Sequence, residues 1–171
     1  YGNLIYGDRA RQDIAEVLKA LLIAGIPVLV LKGWAYIQWL YGGDHGLRFC
    51  EDIDLLVPPE KLDLAEKVLD DLGYQGSLEV VDGYSREYAN ARAYINPSHR
   101  LGDFRLFAVG LHWGLTHYPR YDSLRVDVSE LFARALPLQI AGVDAGAPAS
   151  RRSAPDQCGG RRHQLRDAGT R

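Results

Sequence analysis

Methionine is missing from all 171 residues, position 1 included, so the sequence reads as a segment that begins inside a longer reading frame. Cysteine is almost missing. Cys50 and Cys158 are the only two and sit in unlike surroundings, which argues against a disulfide framework and for a reducing compartment, the cytoplasm. The histidines have no cysteine pair to work with. His45, His99, His112 and His117 match no strong zinc spacing, so each reads as an ordinary core or surface histidine. A long hydrophobic run is lacking too. The most apolar stretch, residues 18–31, is broken by Lys19, Gly25 and Pro27 and is too short to span a bilayer, and no signal peptide precedes it. There is no excess of positive charge, since the formal net charge is −2. Neither a membrane nor a nucleic acid is therefore an expected partner.

What remains is the composition of one ordinary globular domain, 47% apolar and 25% charged. It changes abruptly at Ala141. Residues 141–171 hold six Arg, six Ala and five Gly, no aromatic residue, and only Val143 and Leu165 as large aliphatics. Six Arg against three Asp give this stretch +3, which leaves −5 on residues 1–140. So little apolar surface cannot offset the entropy of ordering the chain. The division expected is a domain over 1–140 and a tail over 141–171, either disordered or out-of-frame sequence that replaced the natural C-terminus.

Within the domain the hydrophobic spacing is readable. Ile14, Val17, Leu18, Leu21 and Leu22 predict a helix over 8–24, stopped by Gly25 and Pro27. Residues 28–31 are a short buried strand, and Lys32-Gly33 ends it. A helix over 34–40 follows, closed by Gly42-Gly43. Residues 52–57 are a second strand. Pro58-Pro59 ends it and opens a helix whose buried face is Leu62, Ala65, Val68, Leu69 and Leu72, with Gly73 at its C-terminal cap. Strands are expected over 77–81 and 86–95 about an Asp82-Gly83 turn. Others are expected over 103–113 and 125–128, before a short helix capped by Ser129. Helices and strands alternate first and an antiparallel section follows. The fold class is α/β to α+β, a mixed sheet flanked by helices.

The second strand carries the chemistry. Strand side chains alternate, so Asp52, Asp54 and Leu56 share one face and Ile53, Leu55 and Val57 the other. Two carboxylates side by side repel unless a cation lies between them, and oxygen ligands on a rigid strand suit Mg²⁺. The plain alternative is a solvated strand face. Taken alone, Lys32 reads sooner as a surface lysine at a strand end, Arg48 as an exposed partner of Glu51 or Asp44, and Trp34, Trp39 and Trp113 as core. The pairs Arg151-Arg152 and Arg161-Arg162 read as solvated.

Taken together these residues resemble a known pattern. Leu31-Lys32-Gly33, then Arg48, then residues 52–57 as Asp-Ile-Asp-Leu-Leu-Val, then a helix ending in Leu72-Gly73-Tyr74, resemble a bacterial nucleotidyltransferase family of the polymerase-β-like superfamily. Leu111-His112-Trp113 resembles a later element of that family. The resemblance spans roughly residues 10–140. It implies a nucleotidyltransferase-like fold and transfer of a nucleoside monophosphate from an NTP, with ATP favoured, to an acceptor hydroxyl. Asp52 and Asp54 would then be catalytic and hold Mg²⁺, while Lys32, Gly33 and Arg48 bind the nucleotide. The acceptor implied is a small molecule, such as an aminoglycoside or lincosamide-type antibiotic, or a protein or peptide side chain. One departure stands out: the superfamily's third carboxylate is expected at Gly110. Asp103, Asp127 or Glu130 could replace it. Otherwise the chain is a catalytically impaired module that binds nucleotide or protein, or a decayed copy.

Overall fold

A computed structural model describes residues 2–48, 50–76, 90–101, 104–105, 107–115 and 126–145. Outside these lie Asp103, Leu106, His117 and Arg125, the 77–89 half of the expected hairpin with its Asp82-Gly83 turn, and the arginine pairs of 146–171.

The first helix, α1 (Gly2–Ile23), buries Ala10, Asp13, Ile14, Val17, Leu18 and Leu21, one stripe at helical spacing. Gly25, at φ +70°, closes it. Its amide donates to Leu22 O and that of Ile26 to Leu21 O, both at 3.0 Å, the paired bonds of a Schellman cap. Then come β1 (Leu29–Leu31), α2 (Lys32–Leu40) and β2 (Asp52–Leu56). The helix α2 starts at Lys32, directly off the strand, two residues before the expected position. A 3₁₀ turn, Pro59–Lys61, precedes α3 (Leu62–Asp71), whose buried residues are Leu62, Ala65 and Leu69. Gly73, at φ +84°, ends α3 with the same cap, as Tyr74 N donates to Leu69 O and Gly73 N to Asp70 O.

The sheet is completed by β3 (Gln75–Gly76), β4 (Ala91–Ile95) and β7 (Ala108–His112), in the order β1-β2-β7-β4-β3. A separate ribbon joins β5 (Arg100–Leu101) to β6 (Phe104–Arg105). The single strand expected over 103–113 is thus two strands in different sheets. Among the described residues only β2 and β7 run parallel, and every other pair is antiparallel. This is the expected mixed sheet flanked by helices. One face buries Ile53, Leu55, Val109, Leu111 and Tyr94 in the main core, where each large aliphatic contributes about 2 kcal/mol relative to exposure.

Two local expectations are corrected. Residues 126–127 are not a strand, and α4 (Val128–Arg134) is capped by Asp127, not Ser129. Asp127 Oδ1 accepts from Ser129 N at 2.8 Å and from its hydroxyl at 2.7 Å. The boundary expected after residue 140 falls inside a hairpin of β8 (Leu138–Ile140) and β9 (Val143–Ala145). Ala141 and Gly142 form its two-residue turn, with φ +48° and +80°. Leu138, Ile140 and Ala145 are buried against α1 and α2. An Ala-Gly turn has the same composition as the Ala/Gly-rich stretch after it, which hid it.

Candidate functional site

The register of the sheet fixes what surrounds the aspartates. Residues paired across neighbouring strands share a face, so Leu31, Asp54, Gly110 and Ala93 form one row. Asp52, Ala108 and Ile95 form the row on one side, and Leu56, His112 and Ala91 the row on the other. Asp52 is exposed at the mouth of β2, Asp54 is half-buried, and Ile53 and Leu55 point into the core. The expected alternation therefore holds along β2.

Asp54 is the best-connected of these groups. Lys32 Nζ lies 3.0 Å from its Oδ2, and His112 Nε2 lies 2.8 Å from its Oδ1. The His112 hydrogen bond, and after it the Lys32 ammonium, hold the Asp54 carboxyl below its ordinary value despite burial. Asp52 moves the other way. Burial raises it first and the Asp54 charge second, with Lys32 opposing both. Asp52 thus feels the Asp54 charge, and both carboxyls feel Lys32.

The corner between β1 and α2 brings the cation there. Lys32 sits at φ +49°, a left-handed conformation unusual for a side-chain-bearing residue. The positive φ falls on Lys32 and not on the glycine that follows it. Gly33 is needed for a different reason: a Cβ on it would lie 2.7 Å from Cys50 Sγ. Leu31, the N-cap of α2, makes no side-chain cap hydrogen bond, and the first amides of a helix favour an anion.

Arg48 is exposed and sits over the ring of Tyr36 at 5.9 Å, one helical turn beyond Lys32. The Cys50 thiol, and then the Tyr41 hydroxyl, hold its guanidinium further toward the charged form. Cys50 touches both Arg48 and Gly33, which ties Arg48 to the corner. Lys32 thus meets the aspartates, and Arg48 reaches the corner through Cys50.

His112 was passed over in the sequence as an ordinary histidine. Only the parallel pairing of β2 with β7 puts it beside Asp54, and its place two residues after Gly110 in the Leu-His-Trp element was the available signal. The other described histidines are elsewhere. His45 meets Asp8 at 3.3 Å, and His99 meets Asp13 at 3.2 Å. Trp34 is buried and Trp113 packs on the core, but Trp39 is exposed on α2.

At the third-carboxylate position Gly110 pairs directly with Asp54. Asp127 is engaged as the cap of α4, and Glu130 is exposed in the first turn of that helix. Among the described residues no group of three or more His, Cys, Asp or Glu is arranged to hold a metal. Mg²⁺ commonly takes one or two carboxylates plus substrate phosphates and keeps its waters. The pair of Asp52 and Asp54, with an ammonium already drawn to Asp54 Oδ2, fits one such ion.

A family model described as an uncharacterised nucleotidyltransferase matches residues 4–153, well past the composition change at 141. No curated protein and no solved structure matches.

Proposed function

The chain belongs to this uncharacterised nucleotidyltransferase family, and from that premise we propose that it transfers a nucleoside monophosphate from an NTP, ATP favoured, to an acceptor hydroxyl in the cytoplasm. Asp52 and Asp54 would hold one Mg²⁺, which when bound supplies charge neutralisation at the triphosphate. The uncapped amides of α2 bind phosphate oxygens. Lys32 would move from Asp54 to the phosphates, its side chain being 65% exposed. Arg48 adds a second positive charge beside the same helix. Such transfer needs positioning and charge stabilisation above all. The acceptor is a small molecule, such as an aminoglycoside or lincosamide-type antibiotic, or a protein side chain.

The observation that carries the reading is the contact of Lys32 Nζ with Asp54 Oδ2 at 3.0 Å, which joins the paired acids to the phosphate-binding corner. The test is pyrophosphate release from each NTP with Mg²⁺ present or chelated. Asp52→Asn and Asp54→Asn should each lower the rate by on the order of a hundredfold or more. Release that survives both substitutions would remove the mechanism.

A second reading rests on Gly110 facing Asp54 where a third carboxylate is expected. It makes the domain a module that binds nucleotide or a partner protein with little turnover. Calorimetry of NTP with and without Mg²⁺ separates the two: binding without pyrophosphate release supports the module.

A further inference from the structure

Glycine at 110 has a geometric consequence. A Cβ built there would lie 2.6 Å from Asp54 Oδ1 and 3.4 Å from His112 Nε2. The Asp54 carboxylate leans over the bare glycine to reach the imidazole. Asp54 and His112 are diagonal neighbours across the parallel pair, since Asp54 faces Gly110 and His112 faces Leu56. Diagonal neighbours lie further apart than directly opposed ones, and this pair meets across the space a Cβ at 110 would fill. The flanking positions are small as well: Ala108 lies beside Asp52, and Ala91 and Ala93 lie on the next strand. Making room for a methyl group would move Asp54 Oδ1, the oxygen bonded to His112. Asp54 is 15% exposed and held at both oxygens, by His112 at 2.8 Å and Lys32 at 3.0 Å.

We propose that His112 is a positioning residue for Asp54, and that Gly110 is the space their hydrogen bond requires. The imidazole Nε2–H donates to Oδ1 and fixes the carboxylate rotamer. Oδ2 is then turned toward the place where Lys32 Nζ lies, the place a cation takes. Carboxylates that bind metals are commonly oriented in this way by a partner that does not touch the ion. Glycine in place of the third carboxylate is therefore not a mark of decay. A side chain at 110 and a hydrogen bond between Asp54 and His112 compete for the same volume. This inference deepens the proposed function and rests on Asp54 meeting a cation.

The test measures Mn²⁺ affinity by electron paramagnetic resonance on the full chain, with a thermal melt of each variant as control. It compares wild type with Gly110→Ala, His112→Ala, His112→Gln and the double variant Gly110→Ala/His112→Ala. Imidazole ¹⁵N–¹H spectra of the metal-free protein report directly on Nε2. His112→Ala and Gly110→Ala should each weaken Mn²⁺ binding by about tenfold. The double variant should be no weaker than the weaker single one, because both changes remove one hydrogen bond. His112→Gln, which keeps an N–H donor, should recover most of the affinity. In Gly110→Ala the Nε2–H signal should lose the shift of a carboxylate-bonded proton.

Fully additive losses, or Mn²⁺ affinity indifferent to position 112, would overturn the positioning role and leave the nucleotidyl-transfer reading standing. Wild type that binds no Mn²⁺, either alone or with an NTP present, would overturn the transfer reading and the positioning role together. If Gly110→Ala does not fold, the contrast between His112→Gln and His112→Ala decides alone: equal affinities refute the role.

Discussion

Lys32 holds a strained backbone and a salt bridge at once. A left-handed conformation costs a residue with a Cβ roughly 1–2 kcal/mol, and a half-exposed ion pair returns about 1 kcal/mol at most. Stability alone is a poor reason for lysine there. Glycine or asparagine would relieve the backbone, but neither would place a cation 3.0 Å from Asp54. A strained residue at a charged corner points to function. Lys32 lowers the carboxyls of both Asp52 and Asp54. In Lys32→Met, carboxyl ¹³C titration should therefore show both pKa values rising, Asp54 through loss of a hydrogen bond as well as a charge. The rise at Asp52, which is purely through space, should shrink in high salt. An unmoved Asp54 would mean that the lysine is not at the carboxylate in solution. The sign for stability follows. The Asp54 pKa is depressed in the folded state, so its contribution is fully present above the ordinary value of 3.8 and is lost as pH falls through the folded value.

At the scale of elements, the hairpin of β8 and β9 carries a similar strain without a functional reason. Its two turn residues both have positive φ, the geometry of a type I′ turn, which favours Asn-Gly over Ala-Gly. Nothing lies within 4 Å of a Cβ at Gly142, so the turn is open. Ala141→Gly or Ala141→Asn should stabilise the chain by about 1 kcal/mol. Calorimetry should then show a melting temperature higher by roughly 3 °C. A melting temperature unchanged or lowered in both variants would mean that the turn does not adopt this geometry. The same hairpin shows where the sequence was legible. Helical periodicity exposed α1 and α3 with their glycine caps, because those signals lie within one element. The aspartate pair and its Lys-Gly neighbour were legible for the same reason, since alternation on β2 is local. His112 was not, because its role depends on pairing between strands 58 residues apart. Nor was the cap of α4, where Asp127 and Ser129 both suit an N-cap and only geometry chooses.

At the scale of the molecule, helices and sheet are tied together by a polar network away from the candidate site. Asp13 on α1 is nearly buried, with Arg9 at 3.3 Å and His99 Nδ1 at 3.2 Å. Asn96 Nδ2 lies 3.3 Å from the other nitrogen of His99, and also donates to Leu72 O at the end of α3. Its Oδ1 accepts from Ser98 N, which fixes the orientation of the amide. The network thus clamps the link between β4 and β5 to two helices. Burial raises the Asp13 carboxyl above its ordinary value, while His99 and Arg9 pull it back. A raised carboxyl binds its proton more tightly in the folded chain, so its contribution is most favourable at low pH and declines as pH rises through the folded value. His99→Ala removes the main restraint and leaves a buried charge with Arg9 alone. At pH 7 that should cost about 2–4 kcal/mol, toward the lower end of the cost of breaking a buried pair because Arg9 remains. As pH falls toward 4 the Asp13 of the variant takes up a proton first, and its deficit should narrow. Urea melts of both proteins at pH 7, 5.5 and 4.5 measure this. A deficit that stays constant or widens as pH falls would show that His99 stabilises by packing on Tyr74, at 5.7 Å between ring centres, and not by holding the Asp13 charge.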